Sequence, residues 1–86
     1  MIGEELNLVV GRIEGLVAQV LQIPEANIKD SLAMAEVEAW DSLKHMELVV
    51  ALESAFDIQF TFEEIVAMQS VQEIKRVVGS RVPVNQ

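Results

Sequence analysis

Leu6, Val9, Val10, Ile13, Leu16, Val17 and Val20 recur at spacings of three and four. That period belongs to an α-helix with one apolar face, and Glu5, Arg12 and Gln19 fall off the stripe. Such a helix, about 18 residues long, is marginal alone in water and needs partners for its face. The chain has only 86 residues in which to supply them. A single small domain of this size buries roughly 60–65% of its unfolded surface, which leaves little material for a deep cavity. Only Asp57-Ile58-Gln59-Phe60-Thr61 alternates as a half-buried strand would, and it reads more simply as a connection between helices.

Punctuation divides the remainder. Pro24 is expected to stop the first helix. Residues 22–40 lack sustained periodicity and hold four of the 14 acidic residues; a long ordered loop of this kind is often functional. Ile23, Ile28, Leu32 and Met34 are expected to pin it to the core. A second helix is predicted from Ser42 to about Phe56, capped by Asp41, with Leu43, Met46, Val49, Val50, Leu52 and Phe56 on a broad buried face. Thr61-Phe62-Glu63-Glu64 and Ser70-Val71-Gln72-Glu73 both fit a capping box with reciprocal bonds. The first leaves room for a short helix, Phe62 to Met68. The second opens a helix that buries Val71, Ile74, Val77 and Val78 and is expected to end at Gly79. The fold class is therefore all-α, a four-helix bundle with three longer helices and a short third one. The expected domain is 1–79, with 80–86 a loose tail containing Pro83.

Composition excludes several classes of function. With no cysteine, disulfides, thiolate zinc sites and protein thiol chemistry are absent. The longest apolar run, Leu48 to Leu52, is far short of the roughly 20 residues of a membrane span. The net charge of −8 argues against nucleic acid and anionic membrane and for partners with basic surfaces. All of that excess lies before residue 58, half of it in residues 22–41. An acidic Met1-Ile2-Gly3-Glu4-Glu5 is unlike a secretion signal, so a cytoplasmic location is expected. An apolar fraction of 51% is too high for a disordered acidic tail.

The most informative stretch is Glu38-Ala39-Trp40-Asp41-Ser42-Leu43-Lys44-His45. A serine at a helix start is usually a cap, but here Asp41 takes that role and leaves the Ser42 hydroxyl free. Unpaired N–H groups and the positive end of the helix dipole would stabilise a phosphate ester on Ser42 Oγ. A hydrolase reading of Asp41, Ser42 and His45 fails on geometry. Residues three apart on a helix splay side by side, and no glycine-rich turn supplies an oxyanion hole. His45 is accordingly expected at the surface or in a partner contact. One histidine and no Asp-rich loop leave no metal site; Glu36 and Glu38 read as a solvated pair. Met34, Met46 and Met68 read as core fillers.

The run Trp40-Asp41-Ser42-Leu43-Lys44-His45-Met46-Glu47-Leu48 resembles the acyl carrier protein family. So do Leu48 through Ile58 as a second helix with its exit, and Phe62-Glu63-Glu64-Ile65 with Ser70-Val71-Gln72-Glu73-Ile74 as a third helix and the opening of a fourth. The resemblance covers about residues 4–78. It implies 4′-phosphopantetheine esterified to Ser42, transferred from coenzyme A by a phosphopantetheinyl transferase, with Asp41 beside it. Acyl groups would ride as thioesters on the terminal thiol, and the chain itself would not be an enzyme. The resemblance also implies docking through Asp41, Leu43, Lys44, Met46, Glu47 and Glu53, and an acyl pocket formed by Leu52, Phe60, Ile65 and Met68. Implied partners are an acyl- or aminoacyl-activating ligase and acyl-transferring or condensing enzymes, met by a monomer.

The chain departs from the carriers of fatty acid synthesis. Trp40 stands where those usually have a small residue, Lys44 and His45 bring positive or titratable character beside the serine, and Ser54 and Ala55 replace common acids. The pattern looks more like stand-alone carriers of specialised lipid- or polyketide-type pathways with dedicated partners. An aminoacyl or peptidyl carrier and an unmodified acidic adaptor are the alternatives.

Overall fold

The computed structural model describes residues 2–82, with side chains from residue 8 onward. Four α-helices follow one another: α1 (Ile2–Leu21), α2 (Ser42–Phe56), α3 (Phe62–Ala67) and α4 (Val71–Arg81). Two single 3₁₀ turns, Glu25–Asn27 and Met34–Glu36, interrupt the long connection between α1 and α2. No strand occurs among the described residues, where the only β pairing is an isolated antiparallel bridge between Ala33 and Ser70. The architecture is the all-α bundle of three longer helices and a short third one.

The amphipathic stripe of α1 packs against α2 and α4, with Ile13, Val17 and Leu21 buried. Leu6 and Glu5 lie outside the residues whose side chains are described. The core entered by Ile13, Val17 and Leu21 also contains Leu48, Val49 and Leu52 of α2 and Val71, Ile74, Val77 and Val78 of α4. Pro24 is not what ends α1. Gln22 takes a left-handed conformation (φ 58°), and the Ile23 N–H returns to the Ala18 carbonyl at 3.0 Å. α2 ends by the same device: Asp57 is left-handed (φ 56°), and Ile58 N–H reaches Glu53 O at 3.1 Å. Each reversal satisfies carbonyls that the helix end would otherwise orphan. Pro24 lies three residues beyond Leu21, where it starts the next turn.

The loop between α1 and α2 is ordered because its backbone has partners. Ile28 is buried, and Ile23, Leu32 and Met34 pack half-buried against the core. Met34 N–H donates to Gln69 O at 2.8 Å. In return, the loop carbonyls of Leu32 and Asp30 accept from Val71 and Gln72 at 2.9 and 3.0 Å. Ser70 Oγ takes the Glu73 N–H at 3.1 Å, so the first turn of α4 has no unmet donor. The expected reciprocal bond from Glu73 is replaced by one to Arg76 at 2.8 Å, and only Thr61 forms the full capping box. α4 also runs past Gly79 to Arg81, beyond the expected stop; Arg81 is held there by Glu64 and by Gln59 O. Residues 80 and 81 are thus helical, and 83–86 of the expected tail lie outside the described residues.

Lys75 joins three parts of this frame. Its Nζ donates to Glu14 Oε2 of α1 and Asp30 Oδ1 of the loop, both at 2.6 Å. Burial pulls its pKa down, but the bonds to Asp30 and Glu14 outweigh that and hold it above 10.5. The stabilisation is complete below pH 10.5 and is lost as the pH rises through the raised value. Replacing Lys75 by methionine leaves two carboxylates facing each other and is expected to cost about 1–3 kcal/mol in urea unfolding at pH 7. The loss should disappear when both variants are compared above the folded-state value.

Candidate functional site

Asp41 is extended (φ −93°, ψ −174°) and its carboxylate accepts the Lys44 N–H at 2.8 Å, while its carbonyl takes the first helical bond from His45, also at 2.8 Å. That is the expected cap. The N–H groups of Ser42 and Leu43 find no acceptor among the described residues, in contrast to the fully satisfied start of α4. Ser42 is exposed, and its hydroxyl makes no bond to the described residues. Two free N–H groups, the positive end of α2 and an accessible hydroxyl are therefore at one point. This environment fits a phosphate ester, whose oxygens would meet donors that nothing else uses.

His45, expected at the surface or in a partner contact, is instead buried. His45 is 8% exposed. Its Nδ1 accepts the Trp40 indole N–H at 3.0 Å, and its Nε2 lies 2.8 Å from the Ile65 carbonyl. An indole can only donate and a carbonyl can only accept, so the partners fix the tautomer, with the proton on Nε2. With both nitrogens engaged and the ring beside Trp40, His45 is not a base for Ser42.

The buried face of α2 is rotated from the expected one. His45, Leu48, Val49 and Leu52 are buried, with Phe56 packed half-buried against the core. Leu43 and Val50 are instead 67% and 60% exposed, and Met46 is exposed beside them. Leu43, Met46, Glu47 and Val50 line a shallow open groove of about 350 Å³. Glu47 pairs with Lys44 at 3.3 Å, an exposed contact worth little to stability. Glu53, expected to face partners, turns inward: its Oε2 accepts the Phe60 N–H at 2.9 Å and fastens the α2–α3 connection. Of the four residues expected to form an acyl pocket, Leu52, Phe60 and Met68 are buried in the core, and Ile65 is half-buried against it.

α3 buries none of its residues fully. Polar contacts fasten it: Thr61 N–H to Glu64 Oε1 at 2.9 Å, Glu64 N–H to Thr61 Oγ1 at 3.1 Å, Arg81 to Glu64, and His45 to Ile65. The Thr61 backbone bond, aided by Arg81, lowers the Glu64 carboxyl below 4.5. Its contribution is present above pH 4.5 and lost as the pH falls through the lowered value. Amide protection at Thr61 is expected to weaken below pH 4.5 before the rest of the bundle unfolds. Glu64→Gln should remove that pH dependence, as read by exchange of the Thr61 amide.

Among the described residues no group of His, Asp and Glu could hold a metal ion, and no helix is long and apolar enough to cross a membrane. The fold and the capped, open serine define a small helical carrier-type domain. Residues 11–78 match the protein family described as the phosphopantetheine attachment site, and the chain belongs to this phosphopantetheine-binding carrier family. Members bear a covalently attached 4′-phosphopantetheine and meet phosphopantetheinyl transferases and biosynthetic enzymes; they are generally not catalysts themselves.

Proposed function

We propose that Ser42 is the attachment residue and that the chain, one domain that includes α4 to Arg81, carries acyl intermediates for a specialised lipid- or polyketide-type pathway. The observation that carries the assignment is the pair of free N–H groups on Ser42 and Leu43 beside an exposed hydroxyl. When bound, the group supplies a thiol for a thioester link, which a cysteine-free chain lacks. The residues of the chain do three things. Asp41 fixes the helix start, the two N–H groups receive phosphate oxygens, and α2 presents a face to the enzymes that use the cargo.

That face is more apolar than acidic: Leu43, Met46 and Val50 are exposed, while Lys44 occupies Glu47 and Glu53 points inward. It suits dedicated partners with an apolar patch better than generic basic docking sites. The setting of such partners is the cytoplasm, and the working form is a monomer. The test is to incubate the purified chain with coenzyme A and a broad-specificity transferase, then measure intact mass and map the modified peptide. One added phosphopantetheine on Ser42 is expected. No addition would leave an unmodified acidic adaptor. Loading of the product by fatty-acid ligases but not by amino-acid-activating ligases would separate acyl from aminoacyl cargo, and the reverse result would overturn the acyl reading.

A further inference from the structure

Among the described residues His45 is the one buried titratable side chain, and attachment at Ser42 does not use it. Its place in the chain is unusual. Trp40 lies two residues before Ser42 and His45 three after it, and the 3.0 Å bond between their side chains closes across the turn that presents the serine. Trp40 is itself held on the loop side, buried to 2% exposure and with its backbone N–H donated to Val37 O at 3.0 Å. The other imidazole nitrogen continues the link to Ile65 O of α3, an element with no fully buried residue of its own.

We propose that Trp40 and His45 are positioning residues for Ser42: their side-chain bond straps the turn that offers the hydroxyl, and the bond to Ile65 sets α3 against the same turn. Core packing alone would need neither an indole N–H nor an imidazole here, since a phenylalanine and a leucine fill comparable space without two polar groups to satisfy. The strap has two separable halves. Trp40 meets Nδ1, the nearer ring nitrogen, whose place an asparagine side chain reaches. Ile65 meets Nε2, the farther one, whose place a glutamine reaches. The apolar residues exposed on the two helices, Leu43 and Met46 on α2 and Phe62 and Val66 on α3, are thereby kept in one fixed relation for any enzyme that approaches Ser42.

This inference rests on the assignment of Ser42 as the attachment residue, and the test separates the two. Trp40→Phe, His45→Ala, His45→Gln and His45→Asn are compared with the wild type in the full chain. Two quantities are read: KM and kcat for phosphopantetheinylation, and amide exchange of the unmodified protein. Trp40→Phe, His45→Ala and His45→Gln should raise KM about five- to tenfold, with kcat within about twofold, and speed exchange of the Lys44 amide. His45→Asn should rescue KM to within about threefold and slow the Lys44 amide again, while Met68 at the end of α3 exchanges faster. Wild-type KM and Lys44 exchange in both Trp40→Phe and His45→Gln would overturn the strap. A loss of protection spread evenly over α1, α2 and α4 would reduce it to general stability and overturn it equally. Should the wild type take no phosphopantetheine, the Ser42 assignment falls, and the exchange comparison still decides whether the strap exists. Should His45→Ala fail to fold, Trp40→Phe and the asparagine–glutamine pair carry the test.

Discussion

Ser42→Ala is expected to remain at its translated mass under conditions that add one phosphopantetheine to the wild type, a complete loss. The fold should not register the change. Asp41, not Ser42, accepts the Lys44 N–H at the start of α2, and the serine hydroxyl is exposed without a partner among the described residues. Alanine is the best helix former at such a position, so the stability change should lie within about 0.5 kcal/mol. Unfolding curves of the two unmodified proteins in urea should superimpose. A variant that still gains the mass would place the attachment elsewhere. One that loses both mass and fold would make Ser42 a structural residue.

Trp40→Ala should produce the largest loss of stability of any substitution near the site. The ring is 2% exposed and is among the largest fully buried side chains of the core. Truncation removes its apolar contacts, leaves a cavity and strands His45 Nδ1 without its donor. Large aromatic-to-alanine changes in cores cost about 3–5 kcal/mol. An unmet buried acceptor adds to that. A domain of this length commands only roughly 4–13 kcal/mol, so the variant is expected to melt roughly 15–30 °C lower or to lose its cooperative transition. A shift of only a few degrees in calorimetry would show that the loop can close over the vacancy.

The contrast between what could and could not be read in the sequence is physical. α1, the caps at Asp41 and Thr61, and the start of α4 were legible because stripe and cap are local, encoded within one or two turns. The face of α2 was not, because apolar side chains nearly encircle it: Leu43, Met46, Leu48, Val49, Val50 and Leu52 offer several stripes. A sharper signal was present. His45, Val49, Leu52 and Phe56 step by four, three and four with Leu48 beside Val49, and the stripe is complete only if the histidine is counted as a core residue. The indole that makes such a histidine tolerable sits in an aperiodic loop, where no pattern points to it. Glu53 was misplaced for a similar reason. Its partner, the Phe60 N–H, comes within reach only after Asp57 turns the chain. Gly79 lost to tertiary context, since Arg81 gains Glu64 and Gln59 by staying helical. The free position of the serine hydroxyl was legible, because its signal is that a neighbour already fills the capping role.

The crossed bonds between the loop and α4 carry a consequence for how the chain is made. The carbonyls of Asp30 and Leu32 are held by Gln72 and Val71, and Met34 by Gln69. The path that leads into Ser42 is thus anchored by residues translated after it, at the start of α4. A nascent chain that has released the serine but not yet α4 has no partner for those groups, and long-range pairings of this kind form late. Maturation of the serine turn is in this way timed to the emergence of α4, and a chain interrupted before that helix would offer the hydroxyl on an unset segment.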